Sequence, residues 1–168
     1  MIGGDYVRVM ARYNTWQNAS LLTAADTLDD DALEQNRGAY FGSIRCTMSH
    51  LLWGDAVWLA RFTGSAAPTI GIPDSVDFAP DYDGLAPRRR ETDARIEAWA
   101  AGVSDADLEG QLSWHSAALG REVAVPLSAC VVHFFNHQTH HRGQIHAMLT
   151  AAGAVPDDTD LVFMPGLA

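Results

Sequence analysis

The chain has 168 residues, close to one domain, and is long enough to bury a core without disulfide or metal staples. Apolar residues make up 48% and charged ones 19%, with mean hydropathy near zero, which excludes a disordered chain and a membrane protein and predicts one soluble domain over residues 1–168. Eleven basic against 21 acidic side chains leave a formal charge of −10, so no nucleic-acid partner is expected.

The amino terminus, MIGGDYVRVMARYNTW, has no basic segment leading into an apolar stretch, and no apolar run is long enough to cross a membrane. A cytoplasmic protein without membrane contact is expected, and Cys46 and Cys130, which form no CxxC pair, fit a reducing compartment. From Asp5 to about Ala25 the residues Tyr6, Val9, Met10, Tyr13 and Trp16 step by three and four, the period of a helix with one buried face. The acidic run Asp29, Asp30, Asp31 predicts a turn. A second helix is expected from Ser43 to Phe62, stopped by Gly64.

That second helix is apolar on two faces. Ile44, Met48, Leu51, Leu52, Trp58, Leu59 and Phe62 form one, and Cys46, Trp53 and Val57 the other. A core would cover the first and a partner subunit the second, hence an expected homodimer. Residues 64–87 carry Gly64, Pro68, Gly71, Pro73, Pro80, Gly84 and Pro87, a density of breakers that predicts a long loop covering something. A third helix follows from Arg88 to about Ala101, with Arg88, Arg89 and Arg90 as its solvated first turn. Every cation is arginine, which removes the phosphate-loop lysine and Schiff-base chemistry. Residues 112–125 suggest a short hairpin, and the last helix runs from Pro126 to Ala152, with Gly153 as its stop and an irregular tail beyond. Four helices without an internal repeat predict an all-α bundle.

Five of the seven histidines fall in HFFNHQTHHRGQIH, from His133 to His146. On a helical wheel His133, His137 and His141 form one stripe, joined by Gln144 and Cys130, with His140 at its edge and His146 turned away. Histidines at i and i+4 can grip one metal ion, as in the HExxH zincins, although no glutamate lies between these to act as general base. At 1.5 Å rise per residue His133 and His141 stand roughly 12 Å apart, against metal–nitrogen bonds of about 2 Å, so one ion takes only two of the three. Spacing alone leaves His133 with His137 and His137 with His141 both open.

A third ligand has to come from elsewhere. His50 lies mid-helix among Met48, Leu51, Leu52 and Trp53, where a charged imidazole is expensive and a neutral ligand or a bonded core histidine is not. His115, in the hairpin, reads as solvated. Asp55 falls in the middle of the main apolar face, about 140° around the wheel from His50, so it suits a buried structural role beside the ligands, with Arg12, Arg142 or groups of the first helix as partners.

Three segments also carry a resemblance: YNTWQN at 13–18, HLLWGDAVWLARF at 50–62 and NHQTHHRGQIHAML at 136–149. On these, together with SWHSAALG and PDDTDLVFM, the chain resembles the DinB-like metalloenzyme family, which includes the YfiT-like proteins, over nearly its whole length. The resemblance implies a four-helix bundle with a long crossover connection, commonly dimeric, and a divalent ion held by one histidine of the second helix and two of the last. By position these are His50, His137 and His141, with His133 left beside the ligands or in the pocket. It also implies a metal-dependent thiol S-transferase acting on a small-molecule substrate with a low-molecular-weight thiol. A metal-dependent hydrolase and a non-catalytic metal-binding stress or structural protein are the alternatives. A fourth protein ligand, from Gln144, His133 or Asp55, would close the site and favour the last of these. Three imidazoles suit zinc or nickel first, and iron, cobalt, copper or manganese as well.

Overall fold

The computed structural model describes every residue except Ala118 and Ala168. Its helices are α1 (Gly4–Ala25), α2 (Asp30–Glu34), α3 (Ile44–Thr63), α4 (Tyr82–Gly102) and α5 (Leu127–Ala151), with one hairpin, β1 (Gln111–Ser116) and β2 (Arg121–Pro126), between α4 and α5. The fold is all-α in its core. The four long helices form a bundle in which α1 and α3 each pack against both α4 and α5.

Two apolar clusters fill the bundle. One gathers Leu21 and Leu22 of α1, Ile44 and Leu51 of α3, Leu85 of α4 and Ile145 and Leu149 of α5. The other gathers Val7 and Ala11, Leu59, Ile96 and Ala100, and Val131, Phe134 and Phe135 of the same four helices. The residue order within each cluster fixes direction: α3 and α4 run one way, α1 and α5 the other. Because α3 and α4 are consecutive, adjacent and parallel, the chain after Thr63 has to return along the bundle, about 30 Å for a helix of 20 residues, before α4 can start. Residues 64–81 make that crossover, with a 3₁₀ turn at Ile72–Asp77 seated against α3.

Several boundaries differ from those expected. The predicted loop ends at residue 81, not 87, because the Asp81 side chain accepts from Gly84 N and caps α4, which starts at Tyr82, six residues before Arg88. Pro87 is therefore inside a helix. Its missing N–H would have bonded the carbonyl of Asp83 in the exposed second turn, and burial of Leu85 and Ala86 offsets the loss. Arg89, expected in solvent, is 4% exposed. The run of aspartates is more than a turn, since Asp29 accepts from Ala32 N and caps α2. Pro126 pairs with Gln111 as the last residue of β2 and so stays extended, leaving α5 to begin at Leu127.

The second apolar face of α3 is covered at least in part by the crossover, where Trp53 Nε1 donates to Ile70 O at 3.0 Å. No helix among the described residues is long and apolar enough to cross a membrane.

Candidate metal centre

His50, His137 and His141 come together where α3 and α5 face each other, each with a ring nitrogen within 4.8 Å of the others. Nε2 of His50 lies 3.3 Å from Nε2 of His137, and the ring centroids of His137 and His141 are 4.5 Å apart. The close approach has a backbone cause. At Gly54, one turn after His50 on α3, a β-carbon would stand 2.8 Å from Cε1 of His137.

Protonation follows from the outer partners. Ser75, fully buried in the crossover, donates its hydroxyl proton to Ile72 O at 2.7 Å, so its Oγ accepts from His50 Nδ1–H at 2.8 Å. On α5, Nδ1–H of His141 donates to Gln144 Oε1 at 2.8 Å. Both rings thus keep Nε2 unprotonated and turned away from those partners, towards the cluster. Burial pushes the His50 pKa down to about 4 and that of His137 to about 3, and the charge of neighbouring imidazoles adds to both shifts. His141 is lowered mainly by burial as well. Three neutral imidazoles at ordinary pH are the donor set a divalent ion requires. His137 Nδ1 is buried without a hydrogen-bond partner among the described residues, so packing against Gly54 holds that ring in place.

Phe41 covers one side, stacked on His50 with centroids 3.9 Å apart and tilted against His141 at 5.6 Å. The other side opens into a cleft of about 680 Å³ between α3, α5, the crossover and the hairpin, within the size range of small-molecule sites. A second cleft, about 460 Å³ around Phe62 and Trp99, holds none of these histidines.

The remaining candidates fall outside the cluster. His133 stands one turn along α5, exposed, its centroid 6.0 Å from that of His137, and lines the cleft. Gln144 is committed to His141 and contacts His140 Nε2 at 3.3 Å. Asp55 is fully buried, but its partners are Arg89 Nη1 at 2.6 Å and Gln138 Nε2 at 3.0 Å rather than Arg12 or Arg142. His115 pairs with Glu122 on the exposed face of the hairpin. His146 lines a different cleft, with Tyr13 and Arg142.

Sequence reading missed Ser75, Phe41 and Gly54. Ser75 and Phe41 lie in irregular segments with no periodic signal. Gly54 did carry one: a glycine inside a helix costs about 1 kcal/mol relative to alanine and so asks for a packing reason.

The model of the DinB family matches residues 4–167. Protein DinB of Bacillus subtilis (strain 168) is 24% identical over 169 residues, covering 93% of this chain and 91% of that protein. The crystal structure of a DinB-like protein from Bacillus cereus ATCC 10987 superposes with a TM-score of 0.61 at 22% identity, covering 86% of this chain and 91% of that one.

Proposed function

This chain belongs to the DinB family, and on that premise we propose that it is a metal-dependent thiol S-transferase in which His50, His137 and His141 hold one divalent ion. The observation that carries the reading is the juxtaposition of three neutral imidazoles with an open cleft of small-molecule size. When bound, the ion supplies Lewis acidity that lowers the pKa of a thiol or water at an open position.

The chain's own residues do the rest. Ser75 and Gln144 fix the tautomers and orientations of His50 and His141, the outer hydrogen bonds by which proteins tune metal ligands. Asp55 and Gln144 are occupied elsewhere, and among the described residues no further His, Cys, Asp or Glu joins the cluster, which favours an open site over a closed structural one. Trp53, Trp58 and the crossover line the cleft, and a thiol and a small electrophile would meet there. Zinc or nickel is assigned first, with iron, cobalt, copper and manganese open to the same donors.

Elemental analysis tests the centre. Purified protein should hold about one divalent ion per chain, lost in His50→Ala, His137→Ala and His141→Ala and largely kept in His133→Ala. Adding a low-molecular-weight thiol to the cobalt-loaded chain should then produce sulfur-to-metal charge-transfer absorption. An unchanged spectrum at full loading withdraws the transferase. Turnover of activated esters without thiol would point to a hydrolase, and neither behaviour to a non-catalytic metal protein. Sedimentation at micromolar concentration tests the homodimer we also propose, against a lone species at the chain mass of 18.2 kDa.

A further inference from the structure

Beyond the histidines the cleft continues along α3, past Gly54 and Val57 to Arg61. The guanidinium carbon of Arg61 lies 4.5 Å from the ring centre of Trp58 and 4.9 Å from that of Trp114 on β1, and the two indoles meet edge to face at 5.5 Å. Among the described residues it has neither an ion pair nor a hydrogen bond. In a chain with 21 acids for 11 cations, the other buried arginines find partners: Arg45 pairs with Glu34, Arg89 with Asp55 and Asp93, and Arg142, without an ion pair, donates to Asn14. Arg61 is half-buried, and desolvation already works against its charge.

We propose that Arg61 is the anion-binding end of the substrate site and takes the carboxylate of an extended, otherwise apolar small molecule whose far end reaches the histidine cluster. The assignment rests on the metal centre proposed above for its meaning as a substrate site. Indoles against the guanidinium attract it through their faces and leave its in-plane N–H groups for a planar, bidentate acceptor. One guanidinium neutralises one negative charge. A carboxylate neutralises the Arg61 end of the cleft, whereas a phosphate dianion would leave an uncompensated charge there, against the indoles of Trp58 and Trp114. Length follows from the helix: His137 packs against Gly54, seven residues before Arg61 and roughly 10 Å from it along the axis, so a two- or three-carbon acid cannot bridge them.

The test is calorimetric titration of the metal-loaded chain with 6-phenylhexanoate, its primary amide and a phosphate monoester of the same length. The carboxylate should bind at least about tenfold tighter than the amide, as a charge-assisted hydrogen bond implies. Arg61→Gln should abolish that preference and leave amide affinity within about twofold, while Arg61→Lys, which keeps the charge but not the fork, should retain part of it. Equal binding of carboxylate and amide to the unaltered chain overturns the proposal, whatever the variants do. So does a phosphate monoester that binds more tightly than the carboxylate. Repeating the titration after chelation separates the two readings. A preference that disappears with the ion and survives Arg61→Gln puts the carboxylate on the metal and overturns the Arg61 site alone. A preference that depends on Arg61 in a chain unable to load metal upholds the subsite and removes the metal centre.

Discussion

Gly54 is where the geometry of the cluster depends on a side chain that is not there. A β-carbon 2.8 Å from Cε1 of His137 forces that ring to move, since no hydrogen bond on its outer nitrogen resists. Gly54→Ala should therefore raise the intrinsic stability of α3 by up to about 1 kcal/mol while weakening metal binding. Thermal unfolding of the chelated protein beside metal titration separates these effects, and unchanged metal affinity would show that His137 has room to adapt. Ser75→Ala acts from the other side, removing the acceptor that fixes the tautomer of His50. A loss of about 10- to 100-fold in metal affinity with little change in fold is expected. The stripe His133, His137, His141 was legible because one helix carries it. Which two members meet His50 was not, because the answer depends on where α3 crosses α5. Ser75 lies 25 residues from its partner in a segment without periodicity, and only the folded crossover brings them together.

Among the elements, the crossover decides the topology and serves the site. Parallel neighbours need a long return, and the return seats Ser75 against His50 and Ile70 against Trp53. Its end is set by one cap. Asp81→Ala should destabilise the protein by about 1 kcal/mol, read as a lower urea midpoint, by freeing Gly84 N at the start of α4. The prolines and glycines of residues 64–87 announced irregular chain correctly as far as Asp81. Beyond it Pro87 misled, because a proline in an exposed second turn loses one hydrogen bond while Leu85 and Ala86 are already buried in the core. The long helices were visible in their apolar spacing, which depends on contacts within one element. The register between α3 and α4 was not, and so Arg89 read as a surface residue.

At the scale of the whole molecule, a polar belt crosses the bundle between its two apolar clusters. Asp55 takes Arg89 and Gln138, while Asp93 lies 2.7 Å from Arg89 Nη2, an ion pair outside hydrogen-bond alignment, and accepts from Asn14 and Asn18 at 2.9 Å each. Arg142 joins by donating to Asn14. All four long helices contribute, so the belt ties their register together. Arg89→Met would leave two carboxylates buried without their cation and should cost about 3–5 kcal/mol. Asp93 adds a pH signature. Burial raises its pKa from the ordinary 3.8 to about 6, against the attraction of Arg89 and with the charge of Asp55 assisting. Between pH 6 and 3.8 the folded chain then holds a proton that the unfolded chain lacks, so this group adds stability as pH falls through that window and loses it as pH rises through 6. Asp93→Asn cannot titrate, and the histidines, common to both proteins, cancel in the difference. The stability of the unaltered chain minus that of Asp93→Asn, from urea midpoints at pH 7 and 4.5, should therefore grow in acid by on the order of 2 kcal/mol. A difference that shrinks instead would mean that Arg89 and the two asparagine amides hold Asp93 ionised against its burial, with the belt fully charged at every pH where the protein folds.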